Sequence, residues 1–441
     1  MNRRILRIWD SIRTSFWFVP SLMVLLAIIM SQVLLQLDRY VSDNHGEFLS
    51  FLYQTSPESA RALLTTIAAS MITVTSIAFS ITVVALSLAS SQFGPRLIRN
   101  FMMDIGTKCV LGNFVATFIY CLLIIEATKS YGDTAFVPGI SLYFAVLLAI
   151  LGAAVLIYFI HHVAWAIQAD NVIDDVYCDL QRNIDRLFPE QRDQGTNPAG
   201  KKMVDFEQRY LNHIDLPAGR SGYIQTIDFT RLLALAAKFD IALDVHYIPG
   251  DFVCKNISLI TVYFQSNALP CNPSTLVDYI IQGGQRTPVQ DAEFAVHQLV
   301  EIAVRALSPG INDPYSAMTC VDKLTAILTE LTTKPFPESH WRDDTGVLRL
   351  VCRTISYEGI GEAAFNQIRQ YAHGSIAVTI RLLEGLITIV RFSQTEEQRG
   401  FVRCQALMIE QTQRQASLAD KDWQDINQRL KQIKAQLELK S

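Results

Sequence analysis

The chain has 441 residues, too many for one small domain and enough for a membrane block with a second domain behind it. Half of the residues are hydrophobic and 18% are charged, where soluble proteins usually carry roughly 25%. A net charge of -4 gives no global electrostatic case for nucleic-acid binding.

The charge deficit is uneven: charged residues are scarce from Ser15 to Ile160 and reach ordinary density from Asp170 onward. The eight cysteines show neither Cys-x-x-Cys nor a Cys/His cluster, so structural zinc and disulfides are not expected. Reduced, mostly buried thiols are the plain reading.

Four apolar runs come first, within a transmembrane region of residues 1–162. Phe16–Leu37 follows a basic leader (Arg3, Arg4, Arg7, Arg13), has no small-residue cleavage site after it, and reads as a retained signal anchor. Ala62–Phe93 carries no charge over 32 residues. That is roughly 48 Å of helix against a ~30 Å hydrocarbon core, so it must tilt or project. The third and fourth runs are Cys109–Ile125 and Val137–Ile160, the last ending in His161 and His162.

Loop charge sets an expected orientation. The leader and the loop with Arg96, Arg99 and Lys108 are basic, whereas the loop with Asp38, Asp43, Glu47 and Glu58 is mainly acidic. Both termini are expected in the cytoplasm, with the chain in the inner (plasma) membrane. Beyond His162 the apolar residues Val163, Ile167, Ile173, Val176, Leu180, Ile184 and Leu187 keep near-helical spacing, which predicts one long helix continuing over residues 163–190.

The second run holds eleven Ser or Thr residues. At 100° per residue Thr66, Ser70, Thr73, Ser76, Ser80, Ser87 and Ser91 share an arc of about 120°. Such a stripe either lines an aqueous path, with Arg96 and Arg99 at its cytoplasmic mouth, or packs helices closely. Asn113 in the third run reads as interhelical glue rather than a site.

Residues 191–394 read as a mixed domain, mostly helical. Strands are expected at Gly222–Asp228, Ala242–Tyr247, Ser258–Phe264 and Leu348–Thr354, with Pro249–Val253 as a turn. Helices are expected at Phe229–Phe239, Asp291–Leu307, Asp313 to about Leu331, Tyr357–Tyr371 and Ser375–Arg391. Ser308–Pro314 must break the helical run, with Asp313 and Pro314 as N-cap and first helical position of the next helix. The turn with Ser308, Gly310, Asn312 and Asp313 either presents backbone amides to an anion or is a tight connection. Over residues 395–441, Trp423, Ile426, Leu430, Ile433 and Leu437 form a two-repeat heptad seam that packs on the domain or joins subunits.

The stretches Phe79–Arg96, Ser221–Asp228, Pro249–Val253 and Arg305–Pro314 together resemble the domain of unknown function 2254 family of predicted bacterial membrane proteins, over nearly the whole chain. The resemblance implies a bacterial membrane location and no activity. The eight histidines show no metal spacing, and no acids, bases or nucleophiles converge in the pattern. Catalysis and cofactors are not expected. The fold expected is an α-helical membrane protein, four transmembrane helices followed by a mostly helical α+β cytoplasmic domain.

Two functions fit this reading. One is an oligomeric channel or transporter-like conduit gated by its cytoplasmic domain, with the lipid bilayer, further copies of the chain and a small ion or anion as partners. The other is a membrane-anchored sensor or scaffold without a pore.

Overall fold

The computed structural model describes residues 17–43, 55–94, 104–128, 136–189, 206–266, 268 and 270–440. Its contacts divide the chain into two units, residues 1–172 and 173–441.

The first unit is four long apolar helices: α1 (Phe18–Asp43), α2 (Pro57–Phe93), α3 (Ile105–Ala127) and α4 (Gly139–Ala166). Each begins or ends where its backbone groups can be satisfied. Ser56 caps α2 ahead of Pro57, and Asp104 caps α3. The helix α3 is the central one, packing against α1, α2 and α4 around Phe114, Tyr120 and Ile124, all fully buried. A close approach makes this possible: a Cβ on Gly112 would fall 2.5 Å from Met23 Sδ and 3.1 Å from Pro20 Cα. The outward faces of α1 and α4 expose Leu25, Leu26, Leu147, Ile150 and Ile157, an apolar surface that a bilayer covers. At 37 residues, α2 is ~55 Å long and exceeds the ~30 Å core.

The expected helix through residues 163–190 is interrupted. The structure ends α4 at Ala166 and restarts at α5 (Ala169–Leu187), with Ile167 and Gln168 between them. The Asn171 amide donates to Trp165 O and to Gln168 Oε1, closing the break with side-chain hydrogen bonds. Periodicity alone cannot register a two-residue interruption that nearly preserves phase. In the second unit α5 buries Ile173, Val176, Leu180 and Ile184, and Asp174 pairs with Lys323 at 2.6 Å.

That second unit contains a short helix α6 (Phe206–Arg209), then β1 (Asn212–Pro217), β2 (Gly222–Ile227), α7 (Phe229–Phe239), β3 (Ala242–Val245), β4 (Phe252–Val253) and β5 (Ser258–Phe264). There follow α8 (Pro273–Val277), β6 (Ile280–Gly283), α9 (Ala292–Ala306), α10 (Pro314–Leu331), β7 (His340–Arg342) and β8 (Leu348–Cys352). The chain ends with α11 (Tyr357–Tyr371), α12 (Ile376–Phe392), α13 (Glu396–Gln415) and α14 (Asp420–Lys440). One sheet runs β1-β5-β3-β8-β7, antiparallel except for β3 with β8; a smaller one runs β4-β2-β6, all antiparallel.

Pro249–Val253, expected as a turn, turns at Gly250 (φ 103°) and ends in the two-residue strand β4, because Gly222 and Tyr223 offer it a pairing partner. The terminal heptad seam packs on its own domain: Ile426, Leu430 and Ile433 are buried, and α14 lies against α12 and α13. All eight cysteines are free, but only Cys121, Cys320 and Cys352 are buried, while Cys178, Cys254 and Cys404 are exposed. The expectation of mostly buried thiols is therefore corrected: Cys178 and Cys404 lie on exposed positions of α5 and α13, and Cys254 follows β4 in a loop.

Candidate functional site

The seven hydroxyl residues of the α2 stripe all lie exposed on the outside of the bundle. Leu64, Ile67, Met71, Ala78, Thr82 and Ala89 form the buried face, roughly 170° away at 100° per residue. Five of the stripe hydroxyls return to their own helix, four of them to the carbonyl four residues back: Thr66, Ser70 and Thr73 donate at 2.8 Å, and Ser76 at 3.1 Å. Ser91 donates to Leu88 O at 2.9 Å. Arg96 and Arg99 fall outside the described residues. The buried Nδ2 of Asn113 finds no acceptor among the described residues.

Two carboxylates that the sequence reading left in loops instead organise the bundle. Asp38, expected as a loop acid, lies inside α1 and is fully buried. Its Oδ1 accepts from Ile140 N at 2.8 Å, and its Oδ2 accepts from Ser141 N at 3.0 Å and Ser141 Oγ at 2.6 Å. It therefore caps the start of α4, where the amides lack intrahelical partners and the helix dipole favours an anion. Tyr120 of α3 donates to the Ser141 carbonyl at 3.0 Å and ties three helices at one point.

At the other end of α4, Asp104 accepts from Thr107 N at 2.8 Å and from Thr107 Oγ1 at 2.7 Å, and meets His162 Nε2 at 2.8 Å. The His162 ring stacks on Tyr158 with centroids 5.3 Å apart. Thr82, Asp104, Thr107 and His162 border a cavity of about 40 Å³, room for roughly one water at ~30 Å³ each.

The turn from Ser308 to Pro314 is a tight connection whose amides are largely committed. Ile311 N and Asn312 N donate to Ser308 O at 3.1 and 2.9 Å, and Asp313 N donates to Ala306 O at 2.8 Å. Asn312 takes a left-handed conformation, φ 49°. Asp313 caps α10, accepting from Ser316 N at 3.2 Å and Ser316 Oγ at 2.5 Å. An anion here would compete with these acceptors. Gly310 borders open space.

The larger concavity lies elsewhere in the second unit, a cavity of about 220 Å³. Its apolar wall is Phe229 stacked on Trp341, centroids 5.6 Å apart and planes 17° apart, with Ile248 and Ile355 beside them. Glu293, Glu338 and Arg353 join Asp291 in its lining. Beneath it, Arg286 binds Asp291 through both carboxylate oxygens at 2.7 and 2.8 Å and reaches Glu293 at 3.8 Å. Two of the motifs noted in the sequence meet at this place. Gly250 N donates to Ile224 O and Ile224 N to the Asp251 carbonyl, so Pro249–Val253 is laid against Ser221–Asp228, and Pro249 borders the cavity.

Burial, reinforced by the like charges of Asp291 and Asp251, raises the Glu293 carboxyl above the ordinary carboxylate range; Arg286 works in the opposite direction. Sequence reading singled out neither Glu293 nor Trp341. The available signal was the Pro-Gly-Asp motif, whose glycine has a positive φ, beside a strand that ends at Ile227.

A family model described as "Predicted membrane protein (DUF2254)" matches residues 13–388. The chain belongs to that family. Among relatives of this DUF2254 protein are uncharacterised proteins of Mycobacterium bovis and Mycobacterium tuberculosis, each 30% identical over 423 residues, which cover 94% of this chain and 79% of the relative. No solved structure matches the chain. Of the stretches that carry the resemblance, Pro249–Val253 reaches the 220 Å³ cavity through Pro249, and Arg305–Pro314 forms the α9–α10 turn.

Proposed function

We propose that this membrane protein is an oligomeric conduit of the bacterial inner membrane, in which the second spans of several copies turn their hydroxyl faces toward one another. The C-terminal unit stands on the cytoplasmic side and gates the path. The observation that carries this reading is the position of the stripe. Seven hydroxyls lie on the face of α2 opposite its packing face and exposed along it, where further copies of the chain would enclose them. Between Thr66 and Ser91 that face carries no carboxylate or lysine, which disfavours proton-coupled transport. Arg96 and Arg99 follow the stripe in the sequence, and on this reading their charge favours a small anion.

The alternative is a sensor or scaffold whose second spans pack without water between them. Back-bonding of Thr66, Ser70, Thr73 and Ser76 favours it, since donors already satisfied by the i-4 carbonyl lie comfortably against a helix or lipid.

Single cysteines decide between the two, in a background from which the eight native cysteines are removed. On the conduit reading, Thr73→Cys, Ser80→Cys and Ser87→Cys react with a membrane-impermeant thiol reagent, whereas Phe79→Cys and Leu86→Cys do not. Reconstituted protein then conducts, with an anion preference that falls in Arg96→Gln. Equal protection of all five positions with no conductance leaves the sensor or scaffold. Reporter fusions after Asn44, Gly94, Gly132 and Gly200 should read out, in, out, in. A periplasmic signal at Gly200 overturns the orientation.

A further inference from the structure

The geometry points to the 220 Å³ cavity of the C-terminal unit as a binding site for a small organic cation, an amine carried on an aromatic or apolar body, with Phe229 and Trp341 holding the body and Glu293 the charge. This inference does not depend on the conduit reading, because every residue of the cavity lies between Leu187 and Ile355.

Three features select the ligand class. The first is shape. The volume corresponds to about seven waters at ~30 Å³ each, the size of a single ring with a short side chain. The stacked pair Phe229–Trp341 is already assembled, and the Trp341 indole N–H is spent on the Glu338 carbonyl at 3.1 Å. The aromatic wall is therefore preorganised and offers a ligand its π surface rather than a donor.

The second is charge. Asp251, Asp291, Glu293 and Glu338 stand against Arg286 and Arg353, an excess of two negative charges at one concavity. Arg286 is committed bidentately to Asp291, and Arg353 lies 3.6 Å from Asp251. Glu293 receives Arg286 only at 3.8 Å, and Glu338 has no ion-pair partner among the described residues. An anionic ligand would face this excess unaided. A cation would offset it, and the aromatic faces add cation–π attraction.

The third is the state of Glu293 itself. Burial and the neighbouring carboxylates hold its proton on more firmly than in water. Arg286 and Arg353 offset this only in part, being paired with Asp291 and Asp251, and a bound ammonium group would add to their counter-charge.

The test uses the full chain in detergent and two probes of equal size that differ in charge: 2-phenylethylamine, cationic at neutral pH, and 2-phenylethanol. Equilibrium dialysis reads affinity. The amine is expected to bind at least tenfold more tightly than the alcohol. Glu293→Gln should abolish that preference while leaving the alcohol's affinity unchanged, and Trp341→Ala should weaken both probes. Trp341→Phe, which keeps the aromatic wall, should restore most of the binding and serves as the folding control. Equal affinity for the two probes, no binding of the amine, or a charge preference that survives both Glu293→Gln and the double variant Glu293→Gln/Glu338→Gln overturns the proposal.

Discussion

Asp38 on the first span holds Ser141, 103 residues later, by both its backbone amide and its hydroxyl. A single buried carboxylate thus fixes the start of the fourth span against the first. Asp38→Ala removes the acceptor for three donors inside the bundle, leaving Ile140 N, Ser141 N and Ser141 Oγ without it. With each buried unsatisfied group costing ~1–3 kcal/mol, the variant should lose several degrees of thermal stability in detergent. Asp38→Asn, which keeps one carbonyl oxygen, should lose less. Equal unfolding temperatures for wild type and Asp38→Ala would show that the cap contributes nothing.

The Pro249–Val253 motif predicts a second sensitivity. Gly250 has φ 103°, and a Cβ there would fall 2.5 Å from Asp291 Oδ2 and 2.8 Å from Arg286 Nη2. Gly250→Ala should therefore both strain the backbone, by ~1–3 kcal/mol, and push apart the Arg286–Asp291 pair. Chemical denaturation should give a loss larger than that of Gly310→Ala, since Gly310 borders open space. Losses of the same size at the two glycines would contradict this.

Asp313 separates capping from anion binding in the α9–α10 turn. Loss of the cap in Asp313→Ala should cost about 1 kcal/mol, and the loss should be the same with and without phosphate if the turn is only a connection. An anion site would instead show phosphate-dependent thermal shifts, strengthened when the competing carboxylate is removed.

Acid stability should depend on Asp343. It receives Arg349 Nε at 2.8 Å as well as the Thr345 hydroxyl and the Thr345 and Val347 amides. Against the desolvation that burial imposes, these bonds pull its pKa from 3.8 down to about 2. A depressed acid stabilises the fold above its unfolded pKa, and that contribution disappears as pH falls through the folded value. Wild type should therefore lose stability relative to Asp343→Asn as pH drops from about 4 to about 2. Parallel pH profiles for the two proteins would refute the assignment.

Much of the architecture was legible in the sequence, because periodicity and local punctuation carry it. Charge-free runs marked four spans. The Ser-Pro-Gly-Ile-Asn-Asp-Pro break placed α10 at Pro314–Leu331 with Asp313 as its cap, and Phe229–Phe239, Ser258–Phe264 and Tyr357–Tyr371 match the observed elements end to end. What stayed hidden were elements that exist only through a distant partner. β1 is polar and largely exposed, and β6 and β7 have four and three residues; each is a strand because β5, β2 or β8 pairs with it.

Side-chain roles divide in the same way. That seven hydroxyls share one face of the second span follows from 100° per residue, and the sequence determined it alone. That this face points away from the other three spans is a matter of which side Leu64, Met71 and Ala78 bury, and only packing decided it. Asp38 read as a loop acid because burial of a carboxylate is favourable only when donors converge on it, and those donors arrive from Ile140 and Ser141 across the fold. The same holds for the cavity. Phe229, Glu293 and Trp341 stand far apart in the chain with no shared spacing, and strand pairing and helix packing alone bring them together. Local hydrogen bonding and helical geometry act over a few residues and can be read in order, whereas desolvation and ion pairing act between surfaces that meet only once the chain has folded.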